Sequence, residues 1–253
     1  MDAAIAPVIL AGTVAREKTS LALFLPDGGG LRLLRSATVD NDELPSIRPL
    51  LRRFLAQDLT SLGAACLGVE SPPWPVTAPE VAAALGLTAV ELIGDAEACA
   101  EWLATLAPED LVQVTPEGTA AGPGARTEGI WIGLGEEPGL ARVRRVDGRL
   151  CAGPPPAVPA DLPRICRELR EGSLRPLVQL LAELARALQE GVLYLGGPRI
   201  RSLLPPPAVE QLGAALRQEA LPVPVVLIEK TPLPLWGAAW RAARQGPGAG
   251  EVA

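Results

Sequence analysis

The 253-residue sequence contains no histidine. Histidine is the usual general base at neutral pH and the commonest metal ligand in proteins. Its absence excludes serine–histidine and cysteine–histidine nucleophile pairs, histidine general bases and nearly every transition-metal site. This one missing residue type therefore removes several large classes of enzyme from consideration.

Other absences bear on the cell compartment. No apolar run reaches the length of a membrane span, and the start at Met1 and Asp2 lacks the basic segment of a signal peptide. The four cysteines are widely separated and form no CxxC pair, so we expect reduced core thiols. These features predict a cytoplasmic protein without a membrane partner.

Composition sets the size and class of the molecule. A chain of this length can bury about three quarters of its unfolded surface, enough for one large domain or two modest ones. Hydrophobic residues make up 48% of the chain, which argues against global disorder. The net charge of −6 argues against nucleic acid as the main partner.

Hydrophobic periodicity gives both halves of the chain the same order of elements: three strands, helix, strand, helix, strand, helix. We expect Asp42 to cap the first helix, and Thr77 or Ala78 to lead into the second. The predicted strands are residues 7–11, 21–25, 31–37, 64–69, 89–93, 130–134, 140–146, 149–152, 192–195 and 223–228. The first predicted helix begins near residue 43. The other predicted helices span residues 79–85, 96–106, 162–169, 174–189, 209–217 and 235–244.

This order predicts two α/β units, each with a mixed sheet, facing each other across a cleft. Ligands of open α/β sheets bind beyond the carboxyl ends of the strands. Loops follow predicted strands after Ala11, Ile93, Leu134 and Leu195. The sequence therefore predicts that four loops converge on one site.

The four loops contain the motifs G-T-V-A-R-E-K, L-I-G-D-A-E-A, G-L-G-E-E-P-G and Y-L-G-G, which begin at residues 12, 92, 133 and 194. In this order they resemble the loops of bacterial glucokinases, members of the sugar-kinase, actin and heat-shock-chaperone ATPase superfamily. The first phosphate loop of that family reads G-D-V-G-G-T-N-A-R-L-A-L, and residues 12–23 read G-T-V-A-R-E-K-T-S-L-A-L. The catalytic strand of the family ends in I-I-N-D-F-T-A, and residues 92–98 read L-I-G-D-A-E-A. The second phosphate loop, G-A-G-T-G-L-G, and the adenosine loop, F-I-A-G-G, fall on residues 133–139 and 194–197.

The resemblance covers residues 1–152 and 192–244. It implies an α/β fold of two ribonuclease H-like lobes, each a mixed sheet flanked by helices, as in the actin-like ATPases. The smaller N-terminal lobe would comprise residues 1–106 and 232–245 and the C-terminal lobe residues 107–231, with a flexible tail at 246–253.

The resemblance also implies a site for ATP and Mg²⁺, with Asp95 as the catalytic base. The cofactor-binding positions that it transfers to this sequence are Gly12, Thr13, Gly133, Gly135, Gly139, Gly196 and Gly197.

Several positions depart from the family pattern. Thr13 replaces the aspartate that serves the metal–phosphate end, and the E-G-G-H sugar motif is replaced by Gly-Pro-Pro-Pro at residues 153–156. The asparagine-rich sugar loop is shortened to residues 74–77, and the long helical portion of the larger lobe is cut to residues 161–190. These departures predict that the sugar ligand and the metal are not bound in the usual way.

The segment that matches the second phosphate loop differs from the family pattern in its negative charge. Glu136 and Glu137 replace its threonine and glycine. Two like charges about 4 Å apart at an effective dielectric near 20 repel by roughly 4 kcal/mol, which would weaken nucleotide binding about a thousandfold. Arg16 and Lys18 on the first loop could offset this repulsion, or they could pair with the glutamates and close the site.

The remaining candidates have structural alternatives. Asp95 could be a general base that accepts a sugar hydroxyl proton, or it could cap the helix that starts at Ala96. Gly196 and Gly197 could approach an adenosine or could be ordinary turn residues. The five tryptophans are expected in the core or at a domain interface rather than as stacking platforms.

Three functions remain open at this point. The first is a catalytically impaired glucokinase-like protein that acts as a binding or scaffold protein. The second is an ATP-dependent kinase for a hexose or another small hydroxylated substrate. The third is an inactive subunit that assembles as a homodimer or with an unidentified protein.

Overall fold

The structure is a computed structural model, and it describes residues 7–27, 30–56, 62–115, 128–135, 138–146, 149–154, 161–188, 190–229 and 233–244. Contacts divide the chain into two compact units. Unit 1 comprises Met1–Trp102 and Leu233–Ala253, and unit 2 comprises Leu103–Pro232. The chain thus leaves unit 1 after Trp102 and returns to it at Leu233.

Unit 1 contains a five-stranded mixed sheet in the order β3-β2-β1-β4-β5. β1 pairs antiparallel with β2 and parallel with β4, and β5 extends the parallel part. The strands are β1 Val8–Val14, β2 Lys18–Asp27, β3 Gly30–Asp40, β4 Leu62–Val69 and β5 Glu91–Gly94. The helices are α1 Ile47–Leu55, α2 Ala78–Leu85, α3 Asp95–Trp102 and α8 Pro234–Ala243, the last returning from the end of the chain.

Helices cover both faces of this sheet. Alternate side chains of β1, β2 and β4 pack with α1 and α2 on one face, and the intervening ones pack with α3 and α8 on the other. A Cβ on Gly237 of α8 would lie 1.7 Å from the carbonyl oxygen of Ala98 in α3, so only glycine allows these helices to cross so closely. Trp236 packs edge-on against Phe24, with ring centroids 4.9 Å apart.

The helix predicted from about residue 43 begins later, and the predicted cap at Asp42 is wrong. Residues Asn41–Glu43 form a single 3₁₀ turn, and α1 begins at Ile47 after Ser46. Leu44 has extended backbone angles because it precedes Pro45, whose ring disfavours the helical conformation in the residue before it. By contrast, Thr77 caps α2, since its hydroxyl accepts a hydrogen bond from the amide of Glu80.

Unit 2 contains a six-stranded mixed sheet in the order β6-β11-β10-β7-β8-β9. β7, β10 and β11 are parallel, and β7–β8–β9 form the predicted antiparallel meander. The strands are β6 Leu111–Gln113, β7 Glu128–Gly133, β8 Gly139–Val146, β9 Arg149–Gly153, β10 Val192–Gly196 and β11 Val225–Ile228. The helices are α4 Leu162–Arg170, α5 Arg175–Leu188, α6 Ile200–Leu203 and α7 Pro206–Gln218.

The main core of unit 2 lies between one face of this sheet and helices α4 to α7. α5 presents Leu177, Leu181 and Leu184 to the core, as its three- and four-residue spacing predicts. The predicted α/β duplication, with a mixed sheet and flanking helices in each unit, is confirmed. β6 and α6 were not predicted.

Candidate functional site

The carboxyl end of the unit 1 sheet brings together Thr13 and Asp95. Thr13 is the sixth residue of β1 and pairs with Gly68 of the parallel neighbour β4. A Cβ built on Gly68 would lie 3.6 Å from Oδ1 of Asp95 and 3.7 Å from Cγ2 of Thr13. The two predicted site residues therefore flank the same glycine, on the face of the sheet that packs with α3.

Asp95 is the first residue of α3, and it is half-buried. Its carboxylate accepts a long hydrogen bond, 3.9 Å, from the thiol of Cys99 one turn later. Burial, and after it the Asp95 carboxylate, holds the pKa of Cys99 well above its usual value. The thiol therefore stays protonated and serves as a weak donor to Asp95 rather than as a nucleophile.

Glu97 lies two residues further along α3. Its carboxylate accepts a hydrogen bond from the amide of Gly94, the contact that closes half of a capping box. Burial is the largest effect on this group and raises its pKa, whereas the Gly94 amide opposes that rise.

Gly12, predicted as a cofactor-binding position, faces the core. A Cβ there would lie 2.5 Å from Cδ2 of Leu67 and 2.7 Å from Cδ2 of Leu21. Close packing between β1 and its two neighbouring strands is thus sufficient to explain a glycine at this position.

The first loop of the resemblance is a tight turn between β1 and β2, and the side chain of Asn41 holds it from within. The Ala15 amide donates to the Lys18 carbonyl across the turn, at 3.0 Å. Asn41 Nδ2 donates to the Ala15 carbonyl at 2.7 Å, and Asn41 Oδ1 accepts from the hydroxyl of Thr19 at 2.7 Å. Asn41 and Thr19 are buried, so this contact fixes the turn. Neither residue was predicted to belong to the site.

The glycines of unit 2 meet where β7 and β10 end and β8 begins. Gly133 of β7 pairs with Gly139 of β8 on one side and with Gly196 of β10 on the other. The amide of Leu134 then donates to the carbonyl of Gly196 at 2.7 Å. The structure therefore brings together the two loops for which the resemblance implies phosphate and adenosine binding, at the carboxyl edge of the parallel strands.

The space that Gly196 and Gly197 leave open is filled by the protein itself. A Cβ on Gly196 would lie 2.2 Å from the ring of Trp131, which is buried. Gly197 has a φ of +141°, and a Cβ there would lie 1.9 Å from the carbonyl oxygen of Leu134. Both glycines are required by packing within unit 2.

Gly135 is held by α4. Its amide hydrogen-bonds the sulfur of Cys166, a buried residue of the main core. Burial raises the pKa of this thiol, and the Gly135 amide opposes part of that rise. Glu136 and Glu137 lie outside the described residues, so the predicted clash with phosphate stays a prediction.

Among the described residues, no cluster of three or more cysteine, aspartate or glutamate side chains could hold a metal ion. No helix in the described part of the chain is both long and apolar enough to cross a membrane. All four cysteines are free thiols, as the sequence predicts.

Comparison with known proteins identifies the fold. No protein-family model matches the sequence, and no curated protein sequence matches it. Among solved structures, a glucokinase from an Antarctic psychrotroph is 18% identical with a TM-score of 0.59, and the match covers 94% of this chain and 99% of that one. Leishmania braziliensis glucokinase is 13% identical with a TM-score of 0.65, covering 92% of each chain.

A second class of enzyme shares the same architecture. The Ppx/GppA phosphatase of Aquifex aeolicus is 8% identical, with a TM-score of 0.50 and coverage of 93% of this chain and 99% of that one. The chain therefore has the actin-like ATPase fold. Within that fold its structural neighbours include glucokinases and a putative sugar kinase from Cytophaga hutchinsonii. At these identities the likeness establishes the fold alone.

Proposed function

We propose that this chain is a glucokinase-like protein that has lost phosphate chemistry and acts as a binding or scaffold protein. The proposal rests on one observation, which is that the backbone amides of the loops already form hydrogen bonds inside the protein. In the family-like geometry such amides would point at phosphate oxygens. Here the amides of Ala15, Leu134 and Gly135 all donate to acceptors within their own unit.

The loop of unit 2 supplies the stronger half of this argument. Binding phosphate there would require the Gly135 amide to leave Cys166, whose sulfur is packed in the main core. The Leu134 amide would have to leave the Gly196 carbonyl, the contact that joins the loop after β7 to the end of β10. An amide already bonded inside the protein gains little from a new acceptor, because it exchanges one hydrogen bond for another.

The loop of unit 1 also argues against phosphate binding. Thr13 offers a hydroxyl where the resemblance calls for a carboxylate, and a hydroxyl is a poorer ligand for Mg²⁺ or its waters. Asn41 keeps the carbonyl of Ala15 turned inward. The described residues therefore do not fit ATP with Mg²⁺ as the resemblance implies, and we assign no catalytic step to them.

One observation favours the kinase alternative. Asp95 remains half-buried at the carboxyl end of the unit 1 sheet, next to Thr13, which is where a general base would be needed. A kinase that uses Asp95 would have to bind nucleotide, and the scaffold would not. The change in melting temperature on adding ATP with Mg²⁺ separates the two: no change supports the scaffold, and a rise that grows with ATP concentration supports the kinase.

A further inference from the structure

β3 is the longest edge strand in either sheet. It spans eleven residues and, within the described part of the chain, pairs only with β2. The other edge strands, β5, β6 and β9, have four, three and five residues. Leu33 and Leu34 on β3 are 43% and 41% exposed. A long edge with exposed apolar side chains can accept another strand through its free amides and carbonyls.

The surroundings of this edge are basic. Arg35 of β3 donates to the carbonyl of Phe54, and its guanidinium lies 4.3 Å from the centroid of the Phe54 ring. This contact brings the last turn of α1 beside β3. That turn exposes Arg52 and Arg53, and α1 contains no acidic residue.

The ion pairs given for the described part of this edge are few and exposed. Among the described residues, no carboxylate forms an ion pair with Arg52 or Arg53. Arg32 of β3 pairs with Asp27 at 3.6 Å, but both side chains are more than half exposed, so the pair is weak. Asp40 is the only acidic residue of β3, and its Oδ1 forms an ion pair with Nζ of Lys18 at 3.8 Å. The edge of β3 and the last turn of α1, here called the basic edge, thus carry more basic than acidic residues: Arg32, Arg35, Arg52 and Arg53 against Asp40.

We propose that the basic edge binds an extended acidic segment of a partner protein, which adds a strand alongside β3. Backbone hydrogen bonds to the free side of β3 supply part of the affinity, and carboxylates facing the arginines select the partner by charge. A second copy of the chain is a poorer occupant, because pairing two β3 strands would place one basic edge against another. The inference rests on the proposed binding function and names its surface and the chemistry of its partner.

The probe is a capped, fluorescein-labelled nonapeptide of alternating glutamate and valine, with a twin in which lysine replaces glutamate. Fluorescence anisotropy at low salt should show saturable binding of the glutamate peptide and weaker binding as salt rises. The variant Arg52→Glu/Arg53→Glu should weaken binding about fivefold or more. The matched control is Arg167→Glu/Arg170→Glu, because these arginines are also exposed in the last turn of a helix, α4 of unit 2. It should leave binding unchanged.

Hydrogen exchange locates the bound peptide. We expect slower exchange of β3 amides when the glutamate peptide is present. The proposal is overturned if that peptide does not bind saturably, if the lysine twin binds equally, if both double variants lose the same affinity, or if protection appears away from β3. A dimer that protects β3 without peptide would also overturn it, because a second copy would then be the occupant. ATP binding has a separate readout, so an active kinase that still binds the peptide would refute only the proposed loss of phosphate chemistry.

Discussion

Gly197 illustrates how single residues of the unit 2 loops serve packing. Its φ of +141° and the 1.9 Å approach of a Cβ to the Leu134 carbonyl oxygen exclude larger residues. We predict that Gly197→Ala lowers the free energy of unfolding by about 3 kcal/mol, measured by urea denaturation. The control is Gly153→Ala, where a Cβ meets nothing within 4 Å, and it should cost less than about 0.5 kcal/mol. Equal stability of the two variants would contradict the packing argument.

Glu97 gives a prediction on pH. Burial raises its pKa in the folded state above the ordinary value of about 4.5. The stability it contributes is therefore fully present below that ordinary value and is lost as the pH rises through the folded value. We expect Glu97→Gln to gain stability relative to the wild type between about pH 4 and pH 7.

Urea titrations over this pH range measure the gain, with Glu210→Gln as a control because Glu210 is exposed on α7. The difference between Glu97→Gln and the wild type should grow with pH, and that for Glu210→Gln should not. A difference that shrinks with rising pH would show that the Gly94 contact outweighs burial.

At the scale of elements, α8 is attached to unit 1 by a buried charge network. Arg241 donates to Glu91 at 2.6 Å and to Glu101 at 2.8 Å, and Arg244 also pairs with Glu101. The side chain of Glu101 is fully buried. Small residues of α8 pack beneath this network against the sheet, among them Ala238, Ala239, Ala242 and Ala243.

We predict that Arg241→Met destabilises unit 1 by about 3 kcal/mol, because it leaves buried carboxylates with too few partners. Arg164→Met is the matched control, since Arg164 pairs with Asp161 and Glu168 at an exposed position of α4. Its cost should stay below about 1 kcal/mol. Urea denaturation followed by circular dichroism compares the two, and similar costs would mean that the network contributes little.

The elements differ in how far the sequence predicts them. Long periodic runs, such as α5 and the β7–β8–β9 meander, were found with nearly correct bounds. β6 and α6 were missed, because three or four residues carry no readable period. The charge network was missed because Arg241 is 150 residues from Glu91 and 140 from Glu101. Local patterns cannot show such pairs.

The candidate site was predicted less completely than the fold. The order of loops located Thr13 and Asp95 at one sheet edge and the glycines of unit 2 at another. The sequence could not show which groups those loops bind internally. The Asn41–Thr19 contact and the Gly135–Cys166 contact each join residues more than twenty positions apart, and the fold alone brings them together.

For the whole molecule, we predict that glucose phosphorylation is absent or near background. The chain lacks histidine and the E-G-G-H motif of the resembled family, and the amides of Ala15 and Leu134, in the loops where phosphate would be expected, donate within their own units. A coupled assay with ATP, Mg²⁺ and glucose tests this. Turnover of even a few per second lies in the ordinary enzyme range and would contradict the prediction.

We propose that the two loops where phosphate would be expected do not accept nucleotide, and titration calorimetry with ATP and Mg²⁺ measures this. The titration compares the wild type with Glu136→Thr/Glu137→Gly and with that variant carrying Thr13→Asp. If like-charge repulsion contributes, the double variant should gain ATP affinity that falls with rising salt. Adding Thr13→Asp should make that affinity depend on magnesium, because a carboxylate there can hold the metal or its waters.

The wild-type protein should give no measurable heat of ATP binding. Micromolar binding of ATP to the wild-type protein would contradict this proposal.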